Sequence, residues 1–252
     1  MSIREAIVWA NCDHPGLLPF EGTLLADSDP ERVYLVSPFL EFGTVVSYLV
    51  ANPDVDRRLL VRDILRAVAY LHNNSIVHGD IKGDNVLADA TGRAVLADLG
   101  LSRLSDVELL TWMSIHTSSP SLGTLPWLAP EILGQIRAQQ PVCPSIASDV
   151  YALGCLIYEI FTGNAPFHEI SRGYHYVSAH YRITTDVLHG RRPSKPTPNS
   201  PPYLHHGLSE DIWAVMEECW DRDVKARPSV QQLLKKLCFT NLADHRPILE
   251  DF

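Results

Sequence analysis

The residue pattern predicts an α+β fold, with a small strand-bearing segment followed by a larger, mainly helical body. Three observations carry this expectation. Two runs suited to β-structure, Gly22–Ala26 and Arg32–Val36, stand close together near the start. From Thr44 onward apolar residues recur at helical spacing, as at Leu59, Leu60, Ile64, Val68 and Leu71 within Val55–Asn73. Third, Asp149–Thr162 is apolar on nearly every side, through Val150, Leu153, Leu156, Ile157, Ile160 and Phe161. A helix without a polar face is a buried one, so this stretch is expected to form the axis of the larger body.

Taken in order, residues 3–11 read as a helix with Ile3, Ile7, Val8 and Trp9 on its buried side. Asp13-His14-Pro15-Gly16 ends it, because proline disfavours helix in the residue before it and glycine permits the turn. The two strand runs flank the polar loop Asp27-Ser28-Asp29-Pro30-Glu31, Pro38 closes the second strand, and Phe39–Gly43 reads as a connector. The short apolar pairs Ile76-Val77 and Val86-Leu87, with Ala94-Val95-Leu96, look like small strands bracketing a loop. Glu210–Cys219 and Ser229–Leu237 are amphipathic helices with Ser209 and Ser229 as N-caps, and Gln232 completes a capping box at the second. The proline-rich stretch 190–207 is expected to be a long surface loop, and the polar residues 102–122 a mobile one.

At 252 residues the chain is long enough to bury a real core, as one large domain or a two-lobed unit. Its 46% hydrophobic and 20% charged residues are ordinary for a soluble globular protein. Against 21 lysines and arginines stand 30 acids; the net charge of −9 argues against nucleic acid or an anionic membrane as main partner. Cys12, Cys143, Cys155, Cys219 and Cys238 are scattered and odd in number, which suits a reducing compartment rather than a disulfide framework. The first residues lack a secretory apolar stretch, and no run reaches the ~18 apolar residues needed to span a bilayer. The chain reads as cytoplasmic, with the nucleus as the alternative.

The chemistry concentrates in one run, His78-Gly79-Asp80-Ile81-Lys82-Gly83-Asp84-Asn85, followed thirteen residues after Asn85 by Asp98-Leu99-Gly100. Two metal-ready side chains, a candidate base and a cation on neighbouring loops suit the transfer of a phosphoryl group from a magnesium-bound nucleotide. A solvated polar loop does not explain that spacing. His168, His180, His205 and His206 have no carboxylate or cysteine at ligand spacing and read as loop histidines. Ser105, Thr117, Ser118 and Ser119 are candidate modification sites in a serine-rich loop.

These motifs resemble the eukaryotic protein kinases, and in wording the tyrosine-kinase-like branch of the Ser/Thr kinases. His78-Gly79-Asp80 resembles the family's His-Arg-Asp, Asp98-Leu99-Gly100 its Asp-Phe-Gly, and Gly123–Glu131 the segment ending in Ala-Pro-Glu. Ser148–Gly154 resembles the start of its central helix, and Trp220 with Arg227-Pro228-Ser229 its late pattern, so the resemblance runs from about Ile3 to Leu237. It implies a two-lobed fold with a truncated small β N-lobe (1–43), a mainly helical C-lobe (44–240) and a tail (241–252).

The resemblance also implies roles. Asp80 would accept or orient the proton of the attacking hydroxyl, and Lys82 would hold the γ-phosphate. Thr124 joins them in the catalytic set and, with Lys82, resembles Ser/Thr rather than tyrosine kinases. Asn85 and Asp98 would give oxygens to Mg²⁺. The carbonyl of Pro38 and the N–H of Leu40 would meet the adenine of ATP, with Leu87 also in the nucleotide site and Ser37 as gatekeeper. Glu131 and Arg227 would form a structural ion pair, His78 would pack, and Asp149 would cap its helix and tie the catalytic loop.

Departures shape the functional expectation. Glu5 stands where the family's N-lobe helix keeps its glutamate, yet only four residues precede it. The glycine-rich loop and the Val-Ala-x-Lys strand are thus expected to be missing from this chain, and Glu5 to be an exposed helix acid. Gly79 replaces the arginine that receives an activation-loop phosphate, and Leu99 replaces phenylalanine. The implied function is ATP- and Mg²⁺-dependent phosphoryl transfer to protein Ser/Thr hydroxyls, impaired in this chain. The alternative is a pseudokinase that binds or scaffolds without transfer. The expected partners are a Ser/Thr protein substrate, ATP, and a protein covering the incomplete small lobe and its exposed apolar face.

Overall fold

The computed structural model describes residues 3–26, 29–99, 103–104, 122–172 and 175–247. Helix α1 (Ile3–Ala10) turns its Trp9 inward, and the indole N–H donates to the carbonyl of Leu18 at 2.6 Å. Ile7, expected on the same side, is 58% exposed. Two residues lie about 200° apart around a helix, so burying Trp9 turns Ile7 outward. Strands β1 (Gly22–Ala26) and β2 (Asp29–Val36) pair antiparallel, with Leu25 opposite Val33 and an irregularity after Leu25. β2 therefore begins inside the segment read as a loop. Leu24 and Leu25 are exposed, leaving apolar surface on this small lobe.

The chain between α1 and β1 is fixed to the larger lobe at Leu96. Leu96 donates its N–H to the Gly16 carbonyl (2.8 Å), and Leu18 donates to the Leu96 carbonyl (2.9 Å). Helix α2 (Val45–Ala51) starts at Thr44, whose hydroxyl accepts the Ser47 N–H. Helix α3 (Arg57–Asn73) starts at Asp56, whose carboxylate accepts the Arg58 N–H. Two short strand pairings position the loops that matter. Strand β3 (Ile76–Val77) pairs with β6 (Arg103–Leu104), and β4 (Val86–Ala88) pairs antiparallel with β5 (Ala94–Leu96), Val86 facing Leu96.

Helix α4 (Pro130–Arg137) carries proline in its first turn, where no N–H is needed. Helix α5 (Ile146–Thr162) is buried along almost its whole length, as its lack of a polar face requires. Asp149 does not cap it. Ser145 does, in a reciprocal box with Ser148, because the helix starts one turn earlier than its apolar run. Gly163 ends it at φ +69, a left-handed conformation that glycine adopts without strain.

The remaining helices are α6 (His168–Ser171), α7 (Tyr176–Leu188), α8 (Pro201–Leu204), α9 (Glu210–Cys219) and α10 (Val230–Leu234). Ser209 and Ser229 cap the last two as expected, and the Ser229–Gln232 box is present, but α10 stops short of Leu237. His168 and His180 lie on helices rather than loops. Ala179, Ile183 and Val187, buried at four-residue spacing, draw α7 onto the core. The 190–207 stretch is loop apart from the single turn of α8.

The core is one continuous cluster centred on α5 and α3, from Tyr151, Tyr158 and Phe161 to Leu60, Ile64 and Leu71. The tail is tied onto it by charge. Arg246 grips Asp63 of α3 with two nitrogens (2.7 and 3.1 Å) and donates to the Gly92 carbonyl in the β4–β5 turn. Asp244 accepts from Arg62, Arg93 and Arg246. Its hydrogen bonds to Arg246, and then the charges of Arg246 and Arg93, hold its carboxyl below the usual carboxylate range against the opposing effect of burial. Among the described residues no helix is long and apolar enough to cross a membrane.

Candidate active site

The loop from β3 to β4 is suspended from the buried helix. The two oxygens of Asp149 accept the backbone N–H groups of His78 (2.8 Å) and Gly79 (2.9 Å), and His72 Nε2 lies 2.9 Å from the first. Gly79 sits at φ +82, where a side chain is resisted, so glycine in place of the family's arginine relaxes the backbone at this point. His78 is fully buried; its Nδ1 accepts the Asp80 N–H, and its Nε2 lies 3.2 Å from the Ala97 carbonyl.

Around Asp80 four of the expected residues meet. Its Oδ2 accepts Lys82 Nζ (2.7 Å) and Asn85 Nδ2 (2.9 Å), and Lys82 Nζ also donates to Thr124 Oγ1 at 2.9 Å. The other oxygen of Asp80, Oδ1, is buried without a hydrogen-bond partner among the described residues. A buried carboxylate oxygen without a partner is costly, so Oδ1 is an acceptor that a hydroxyl, a water or another donor can satisfy.

Asn85 spends its amide N–H₂ on the carbonyl and carboxylate of Asp80. That leaves its amide oxygen, an acceptor, for a cation. Asp98 lies at the same open end of the β4–β5 hairpin. Val86 faces Leu96, Ala97 donates its N–H to the Asn85 carbonyl at 2.8 Å, and Asp98 follows, exposed and at φ +61. Among the described residues no three His, Cys, Asp or Glu side chains cluster as a closed metal cage. The donor set fits Mg²⁺, which keeps several waters and binds through one or two protein oxygens plus phosphate.

The connector after β2 is drawn beside this hairpin. Ala88 donates its N–H to the Gly43 carbonyl (3.0 Å), and Thr44 bridges to Leu87. Leu40 accepts the Gly43 N–H in the turn, and Pro38, Leu40, Ser37 and Leu87 are all half-buried there. Glu131 and Arg227 form a bidentate pair at 2.7 and 2.8 Å, and Arg227 also donates to the carbonyls of Ala147 and Asp221. Gly100, Ser105, Thr117, Ser118, Ser119 and the side chain of Glu5 lie outside the described residues, as does most of 102–122.

Sequence reasoning missed Glu159. It is the one acid in the interior of α5, and its Oε2 accepts both the Gly83 N–H (2.9 Å) and the Trp127 indole N–H (3.1 Å). The signal was available: an acid inside an all-apolar helix must have partners there. Burial pushes its carboxyl up to about 7, against the two hydrogen bonds; Asp84 pushes it further up and Lys82 pulls it down.

That raised value sets a stability window. The penalty for ionising Glu159 is absent below its ordinary value of 4.5, grows as pH rises toward about 7, and is complete above it. Its full size is about 3 kcal/mol. Glu159→Gln, which can still offer one oxygen to both donors, is expected to gain about 3 kcal/mol relative to wild type between about pH 4 and pH 8. Urea unfolding of both proteins across that range measures it; parallel curves would refute the assignment.

The model of the protein kinase domain matches residues 1–239. The chain belongs to the protein kinase family. This kinase domain is 31% identical over 235 residues to mitogen-activated protein kinase kinase kinase 2 of Arabidopsis thaliana, covering 92% of the chain and 32% of that relative. It is 29% identical over 248 residues to mitogen-activated protein kinase kinase kinase A of Dictyostelium discoideum, covering 96% and 23%. A protein kinase and PP2C-like domain-containing protein of Arabidopsis thaliana shares 30% over 256 residues, covering 93% and 36%. The kinase domain thus spans about a third or less of the length of these curated relatives.

Proposed function

We propose that this kinase domain transfers the γ-phosphoryl group of ATP to Ser/Thr hydroxyls of a protein. The observation that supports the reading best is the open Oδ1 of Asp80, beside a carboxylate oxygen already held by Lys82 and Asn85. An incoming hydroxyl that donates to Oδ1 has its oxygen lone pair directed away from Asp80, and its proton has an acceptor as the new bond forms. Lys82 bridges Asp80 and Thr124, so its ammonium is fixed before reaction and needs little reorganisation as charge shifts. Asn85 and Asp98 would hold Mg²⁺, which, bound with ATP, supplies the charge that offsets the phosphate oxygens. Pro38, Leu40 and Leu87 would meet adenine. Relatives named as kinases of kinase kinases support another protein kinase as the substrate class.

The test is transfer of labelled γ-phosphate to a degenerate Ser/Thr peptide library, with Asp98→Ala as control. Slow transfer, impaired as the sequence leads one to expect, is predicted for wild type, with a further loss of about 10²–10³-fold or more in the variant. If the folded wild type transfers no more label than Asp98→Ala, the reading fails and a binding module without transfer takes its place.

A further inference from the structure

Gly83 and Glu159 fit each other in a way that bears on the site. A Cβ built on Gly83 would stand 2.7 Å from the carboxyl carbon and Oε2 of Glu159, and 2.8 Å from its Oε1. The carboxylate thus occupies the place of a side chain at position 83. It is not a loose surface acid able to swing aside. Glu159 is 7% exposed and belongs to the most buried helix, and one of its oxygens is held by Gly83 and Trp127 together. Gly83 follows Lys82 directly, while Trp127 lies three residues after Thr124. One carboxylate oxygen therefore joins the two segments whose side chains meet at the 2.9 Å Lys82–Thr124 contact.

Resting on the proposed transfer reaction, we infer that Glu159 is a positioning residue, and that the missing side chain at Gly83 is what lets it join the loop of Asp80 to the segment of Thr124. Glu159 touches no reacting atom. It sets how Lys82 and Thr124 stand over Asp80, so its removal misplaces the ammonium without removing it. The pairing also assigns a specific cause to glycine at position 83, where the backbone has no left-handed angle to require it.

A double-mutant cycle tests this in the whole chain, using Gly83→Ala, Glu159→Ala and the double variant. Displacement of catalytic groups by about 1 Å costs up to 10²-fold in rate. Gly83→Ala is expected to lower kcat by about 10- to 100-fold with KM for ATP nearly unchanged. In the Glu159→Ala background the same change is expected to cost about twofold or less, since the clash is gone. Glu159→Gln, which keeps an acceptor for both donors, is expected to retain most of the rate.

Hydrogen exchange of the segments 78–85 and 122–127 gives a readout that does not depend on turnover. Both segments are expected to lose protection in Glu159→Ala, and to keep it in Glu159→Gln. Additive effects in the cycle, or unchanged protection in Glu159→Ala, would overturn the inference. A wild type that transfers no phosphate but shows the exchange pattern would overturn the transfer reading alone and leave the coupling of the two segments standing.

Discussion

Asp80→Asn is expected to lower kcat for peptide phosphorylation by about 10³-fold while leaving KM for ATP within about threefold. General-base and electrostatic contributions of positioned groups are each worth about 10²–10⁴ in rate. The amide is nearly isosteric and can still accept from Lys82 and Asn85, which now converge on one carboxylate oxygen. What it loses is the negative charge and the second acceptor, the Oδ1 that has no partner among the described residues. Steady-state kinetics on both proteins, with matched thermal unfolding, separate this from a folding defect. A variant within about tenfold of wild type would show that Asp80 is not the group that receives the hydroxyl proton.

Glu131→Ala is expected to cost about 3–5 kcal/mol of folding stability. The two partners of this pair are unequally buried: the side chain of Arg227 is 1% exposed and that of Glu131 is 26%. Removing the glutamate strands a guanidinium that retains, among the described residues, the carbonyls of Ala147 and Asp221 and the face of Tyr151, 5.3 Å from the ring centre. An uncompensated buried charge is far costlier than the pair itself is favourable. Replacing both residues with apolar ones of similar volume is expected to recover much of the loss. Urea denaturation of the single and double variants checks both statements, and a single variant that loses under about 1 kcal/mol would contradict them.

How much of this was legible in the chain depended on whether the signal was local. The helix Ile146–Thr162 announced itself because nearly every face is apolar, and Ser229 with Gln232 announced a helix start through spacing alone. The run from His78 to Asn85 named its own chemistry because the residues are few and close. Ile7 was misplaced because counting apolar residues ignored the 200° that separates it from Trp9. Helix α7 was overlooked although Ala179, Ile183 and Val187 mark its buried stripe, since polar residues surround them. Long-range pairings were not legible. Lys82 meets Thr124 across 42 residues, Glu159 meets Gly83 across 76, and Arg246 meets Asp63 across 183; no periodicity encodes such meetings.

Suspending His78 and Gly79 from Asp149 ties the reactive loop to the deepest helix of the protein. Such a loop has no soft mode of its own: to melt it, the solvent must first reach the interior. Catalytic competence and the integrity of the core are then a single cooperative property, and warming should extinguish both at one temperature rather than in two stages.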